Sequence, residues 1–110
     1  MKIGLIGCGS IGTTIAGAAD GMDEVSEIYL FDSDVERSYN LKSMIQKSRV
    51  CEDFETLLDD CQLIIEAASQ AAVREFASKS LRKGRDFMIL SVGALADKDL
   101  WEELLGSREK

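Results

Sequence analysis

The chain contains no histidine and no proline, only three cysteines, and 13 basic against 20 acidic residues in a length of 110. The lack of histidine removes the commonest general acid–base group and the commonest nitrogen ligand for a metal. Cys8, Cys51 and Cys61 are odd in number and far apart, with no CxxC pair, so no metal or redox motif is present and buried reduced thiols are the expected state. The formal charge of −7 repels a nucleic-acid duplex or an anionic membrane surface and argues against either as a partner. No apolar stretch approaches the ~20 residues needed to cross a bilayer. The N-terminus enters a strand at once, without a basic region or cleavage site, which points to a cytoplasmic protein. The absence of proline excludes no fold class. A chain of 110 residues that is 45% hydrophobic and 30% charged fits one compact domain, residues 1–110, with little room for a second.

What is present is concentrated near the start. Lys2-Ile3-Gly4-Leu5-Ile6 runs into Gly7-Cys8-Gly9-Ser10-Ile11-Gly12, and Asp32 closes the next apolar run twenty residues after Gly12. A GxGxxG alone is weak; strand before, helix after and an acid at this distance make it a dinucleotide-binding fingerprint. Gly7 lets the chain turn off a buried strand, and Gly9 leaves the backbone amides free to close on a pyrophosphate. Gly12 lets the next helix pack tightly, so that its N-terminal amides and dipole face the phosphates. Asp32, at the tip of the second strand, can accept hydrogen bonds from an adenosine ribose. Cys8 lies inside the loop and is expected to be open to oxidation or alkylation when no nucleotide is bound; it has no catalytic role.

Apolar runs of strand length alternate with amphipathic stretches of helix length, the pattern of βαβ units around a parallel sheet. The strands are expected at Lys2–Ile6, Ser26–Phe31, Arg49–Cys51, Leu63–Ala67 and Asp86–Ser91. The first helix should run from Ser10 to Ala19, with Ile11, Ile15 and Ala18 on one side and small residues that suit close approach to the sheet. Ser33 or Asp34 caps a second, to Gln46, and Asp53 a third that buries Phe54, Leu57, Leu58 and Cys61. Ser69 caps a fourth with Val73, Phe76, Ala77 and Leu81 inward, Arg82 and Lys83 in its last turn, and Gly84 beyond as a left-handed C-cap. A final helix is expected from Asp97 to Gly106, burying Leu100, Trp101, Leu104 and Leu105. The fold class is therefore α/β, a Rossmann-type doubly wound parallel sheet of order 3-2-1-4-5.

In that order a ligand binds at the carboxyl edge between the first and fourth strands. This nominates Ala67-Ala68-Ser69-Gln70 and Ser91-Val92-Gly93-Ala94-Leu95, each of which is otherwise a tight strand-to-helix turn. Glu66 ends an apolar strand, so it either points to the crevice as a polar anchor or escapes to solvent. Nothing in the sequence supplies the partner that would make it a general base.

The stretches from Ile65-Glu66-Ala67-Ala68-Ser69 to Val73 and from Leu90-Ser91-Val92-Gly93-Ala94 to Asp97 resemble the L-aspartate dehydrogenase family. There an EAASxxAV and an SxGAxAD segment follow the same glycine loop. The resemblance runs over nearly the whole chain and implies NAD(P)-dependent oxidation of aspartate to iminoaspartate, which is hydrolysed to oxaloacetate and ammonia or feeds NAD biosynthesis. By what the resemblance implies, Gly7, Gly9, Ser10, Ile11 and Gly12 hold the pyrophosphate and Asp32 the ribose. Ala67, Ala68 and Ser69 line the path to the nicotinamide, with Ser91, Gly93 and Ala94 beside it. The acid at position 32 repels a 2′-phosphate and so favours NAD. Ser33 and Arg37 are nearby groups able to accept NADP.

Family members continue into a sixth strand and a second domain that holds aspartate and supplies a catalytic histidine, whereas this chain has no histidine. Hydride transfer needs a substrate held ~3–3.5 Å from the nicotinamide carbon, so no catalytic residue and no metal ligand is assigned here. Three readings stay open: the cofactor half of an aspartate-dehydrogenase-like enzyme, a stand-alone NAD(H)-binding or sensing module expected to dimerise, or an interaction protein that kept the fold and lost the ligand.

Overall fold

Five short apolar segments form the strands of one sheet in a computed structural model that describes residues 1–91. The elements alternate as β1 (Lys2–Ile6), α1 (Ser10–Asp20), β2 (Glu27–Phe31), α2 (Val35–Lys42), β3 (Ser48–Val50), α3 (Phe54–Asp60), β4 (Leu63–Glu66), α4 (Gln70–Arg82) and β5 (Asp86–Ile89). All pairings are parallel and the order is β3-β2-β1-β4-β5, as the sequence predicts. β1 is central, with Ile6 opposite Phe31 on one side and Glu66 on the other. The expected final helix, from Asp97 to Gly106, lies outside the described residues.

Strand alternation divides the core into two layers. On one face Ile3, Leu5, Ile28, Leu30 and Ile65 pack with Ala16 and Ala19 of α1 and with Leu41 and Ile45. On the other, Ile6, Tyr29 and Ile64 pack with Phe54, Leu57, Leu58 and Cys61 and with Ala72 and Phe76 of α4. Each fully buried leucine or isoleucine here contributes about 1.5–3 kcal/mol by leaving water. Val73 and Ala77 are also buried and Leu81 packs beside them, so the predicted stripes of α3 and α4 are the ones that face the sheet.

The small residues of α1 make the expected close approach to the sheet, and Ile15 packs at the edge of the core. Gly12, Ala16 and Ala19 are buried, whereas Ile11 is 60% exposed and Ala18 is at the surface. The reason is distance: a helix pressed close to the sheet admits only small side chains at its contact line, and the larger isoleucines are displaced to the flanks.

Several element ends are also shorter than expected. The second helix stops at Lys42, not Gln46, because the chain turns back towards β3. There Asp20 accepts the amides of Gln46 and Lys47 at 3.2 and 3.0 Å, and Ile45 is buried as an anchor. β3 begins at Ser48 and ends at Val50, one residue earlier than predicted at each end. β4 ends at Glu66 and β5 at Ile89 because the amides of Ala68 and Ser91 turn away from the ladder to one side-chain carboxylate, that of Glu66.

Helix ends follow their sequence signals closely. Asp34, Asp53 and Ser69 accept the amides of Glu36, Thr56 and Ala72, respectively. Gly84 has φ +81°, the left-handed conformation expected after α4. Arg85, which the sequence reading passed over, donates from Nε to the Leu58 carbonyl and from an η nitrogen to that of Asp59, both at 2.8 Å. It thereby satisfies carbonyls at the end of α3.

Candidate functional site

The strand order reverses between β1 and β4, and a crevice opens beyond their carboxyl ends. The loop after β1 is held at three points. The Gly7 amide donates to the Phe31 carbonyl at 2.8 Å, and the Cys8 amide donates to Asp32 Oδ2 at 2.8 Å. Gly7 has φ +101°, and a Cβ there would lie 2.8 Å from the Ala67 carbonyl and the Ala68 nitrogen. The loop therefore lies directly on the β4–α4 turn. Gly12 is the second close approach: a Cβ on it would overlap the Gly7 carbonyl oxygen.

Gly9 differs from both, because a Cβ there would meet nothing within 4 Å. It is the N-cap of α1, and no side chain caps that helix, whereas α2, α3 and α4 are each capped by one. The first amides of α1 and the positive end of its dipole thus face open space, an arrangement suited to an anion.

That space is a groove of about 360 Å³ lined by Gly7, Gly9, Ser10, Ile11, Asp32, Ser33, Arg37, Ala67, Ala68 and Ser69. The structure brings together eight of the twelve sequence-predicted residues. Gly12 supports the groove from below without lining it. Gly93 and Ala94 lie outside the described residues. Exposed Ile11, one of the nominated cofactor residues, forms part of the wall. A second hollow of about 260 Å³ shares Asp32, Ser33, Ala68 and Ser69 with the first and continues along Phe31, Ala71, Ala72 and Phe76, whose apolar surfaces suit a flat ring.

Asp32 is prepared on both oxygens. Besides the Cys8 amide, it accepts the Asp34 amide on Oδ1 at 2.9 Å, so its carboxylate is fixed at the groove with lone pairs left for a diol. Arg37, at the surface, lies 3.8 Å from Asp34 and also reaches the groove wall.

Glu66 neither escapes to solvent nor lines either cavity. It is 0% exposed. Its Oε2 accepts the amides of Ala68 and Ser69, both at 2.8 Å, and the Ser91 hydroxyl at 2.7 Å, while Oε1 accepts the Ser91 amide at 2.9 Å. Ser91, nominated as a cofactor neighbour, is thus first a partner of Glu66.

Cys8 is a buried free thiol, as expected of all three cysteines, and its place in the loop does not open it to solvent. The side chain points inward, and burial, followed by the Asp32 charge, pushes the thiol up to about 11, so little thiolate exists near neutrality. Among the described residues no cluster of three or more His, Cys, Asp or Glu residues could hold a metal ion, and no helix is long and apolar enough to cross a membrane.

Residues 7–110 match the family described as homoserine dehydrogenase, NAD binding domain. The chain belongs to that family. This NAD-binding domain is 40% identical over 106 residues to L-aspartate dehydrogenase of Methanothermobacter thermautotrophicus, a match covering 96% of the domain and 41% of the relative. The domain therefore spans well under half the length of that curated relative. Two solved structures share the fold. UDP-N-acetylglucosamine 3-dehydrogenase of Acidithiobacillus ferrooxidans superposes with a TM-score of 0.84 at 19% identity, over 99% of the domain and 35% of that chain. Aspartate dehydrogenase of Thermotoga maritima superposes with a TM-score of 0.73 at 23% identity, over 99% and 41%.

Proposed function

We propose that this domain holds NAD for an oxidoreductase acting on the CH–NH2 group of L-aspartate, and that the 110-residue chain alone binds the cofactor without turnover. The reading is supported by the relatives named L-aspartate dehydrogenase and carried by one observation: the uncapped α1 N-terminus above the open Gly9, opposite Asp32.

In this proposal the first amides of α1 bind the pyrophosphate, and the Asp32 carboxylate accepts from the adenosine ribose. The hollow lined by Phe31, Ala71, Ala72 and Phe76 takes the adenine, and the Ala67–Ser69 turn faces the nicotinamide half. When bound, the cofactor supplies the hydride acceptor for oxidation of the substrate amine to an imine. The described residues bind and orient. Groups that hold aspartate and accept its proton belong to further polypeptide, as the 41% coverage of the relative suggests. Asp32 disfavours a 2′-phosphate, whereas Ser33 and Arg37 on the same wall provide for NADP as a weaker ligand.

Calorimetric titration of the purified chain with NADH and NADPH, beside the Gly9→Val variant, is the direct test. NADH should bind more tightly than NADPH, and the valine should abolish binding while the circular-dichroism spectrum stays that of the parent. A folded parent that binds neither dinucleotide would overturn the cofactor assignment. Oxidation of aspartate by the chain alone would overturn its reading as a binding half.

A further inference from the structure

We propose that Glu66 is a positioning residue that clamps the β4–α4 turn to the end of β5 and so sets the wall against which the nicotinamide half of the dinucleotide rests. The inference deepens the cofactor reading and rests on it.

Glu66 ends an apolar strand and is completely buried, which is costly for a carboxylate unless it is hydrogen-bonded. It is: Oε2 takes three donors and Oε1 one, at 2.7–2.9 Å. Two donors, the amides of Ala68 and Ser69, belong to the turn that forms the groove wall; the other two, the amide and hydroxyl of Ser91, belong to the chain leaving β5. The backbone reinforces the same junction, because the Leu90 amide donates to the Glu66 carbonyl at 3.0 Å. One side chain therefore ties the β4–α4 turn to the chain leaving β5.

A second consequence concerns anions. The carboxylate lies at the start of α4 and occupies the amides of Ala68 and Ser69, while Ser69 Oγ occupies that of Ala72. The positive end of α4 is thus partly countered from within the protein, whereas α1 has no side-chain cap and offers its first amides to the pyrophosphate. Glutamine cannot replace this group. If its oxygen keeps the Ala68 and Ser69 amides, its NH2 confronts the Ser91 amide, donor against donor.

ADP-ribose carries the adenosine and pyrophosphate of NADH but no nicotinamide, and the comparison of the two ligands is the test. By calorimetry the parent should bind both. Glu66→Gln should weaken NADH about tenfold, the size expected when a buried donor loses its acceptor, and weaken ADP-ribose, whose adenosine meets the same Ala68–Ser69 turn, by less, so that the ratio of the two affinities falls. Ser91→Ala removes the hydroxyl from the clamp while leaving the turn amides bonded; it should shift the ratio of the two affinities in the same direction by about threefold, and it serves if the glutamine variant does not fold. Loss of stability alone would weaken both ligands equally. A parent that binds both ligands, with variants that change neither ratio, would overturn the positioning role and leave the cofactor reading standing. A parent that binds neither would remove both.

Discussion

Gly9 and Gly12 stand three residues apart in one loop, and a side chain would affect them in opposite ways. At Gly9 a Cβ enters open groove and meets no protein atom within 4 Å, so Gly9→Val should fold with the parent's stability and lose only its ligand. At Gly12 the same carbon would run into the Gly7 carbonyl oxygen, a backbone atom that cannot move without disturbing the Gly7 contact with Ala67. Gly12→Ala should therefore lower stability by about 1–3 kcal/mol, as overpacking does. Thermal unfolding of the two variants side by side checks this; equal melting temperatures would mean that the loop yields more readily than its packing indicates. The fingerprint in the sequence assigns Gly9 to the ligand and Gly12 to packing, and their surroundings agree.

At the level of the elements, helix ends are the points where sequence and structure agree best and where single substitutions are easiest to interpret. Asp53 caps α3 by accepting the Thr56 amide and hydroxyl at 2.9 and 3.0 Å, and Arg85 closes the other end of the same seven-residue helix. A helix so short has little stability of its own. Asp53→Ala should cost about 1 kcal/mol. Arg85→Ala, which leaves the Leu58 and Asp59 carbonyls without their charged donor, should cost about 1–3 kcal/mol. Chemical denaturation measures both, and no loss in the arginine variant would show that water replaces the guanidinium. Asp53 was legible because N-caps obey a local rule. Arg85 was not, because its partners lie 26 and 27 residues away and no local pattern brings them together. The exposure of Ile11 has the same origin: periodicity locates an apolar stripe but not which of its residues fits between helix and sheet.

Over the whole molecule, the weakly acidic buried groups lie in both core layers and make stability depend on alkaline pH. Burial pushes Cys61 up to about 12, raises Cys51, and with the Asp32 charge raises Cys8 to about 11. Burial and its hydrogen bond to Asp60 take Tyr29 up to about 12. The ordinary thiol value is 9.0, so between there and about 11 the unfolded chain releases protons that the folded one keeps. Stability should be flat up to pH 9 and fall progressively above it, which denaturant midpoints at pH 8, 9 and 10 would reveal. An unchanged midpoint at pH 10 would mean that the thiols are solvated in the native state.

The sequence by itself determined the strand order, the glycine loop, the acid at the tip of β2 and most helix caps, because each follows from local periodicity, backbone freedom or capping chemistry within a few residues. The tertiary structure alone decided that Phe31 and Phe76 line a second hollow, that Arg85 closes α3, and that Glu66 takes four hydrogen bonds. Those outcomes depend on separate segments meeting at the edge of the sheet, and a contact between residues 25 positions apart, such as Glu66 with Ser91, leaves no periodic trace in the chain.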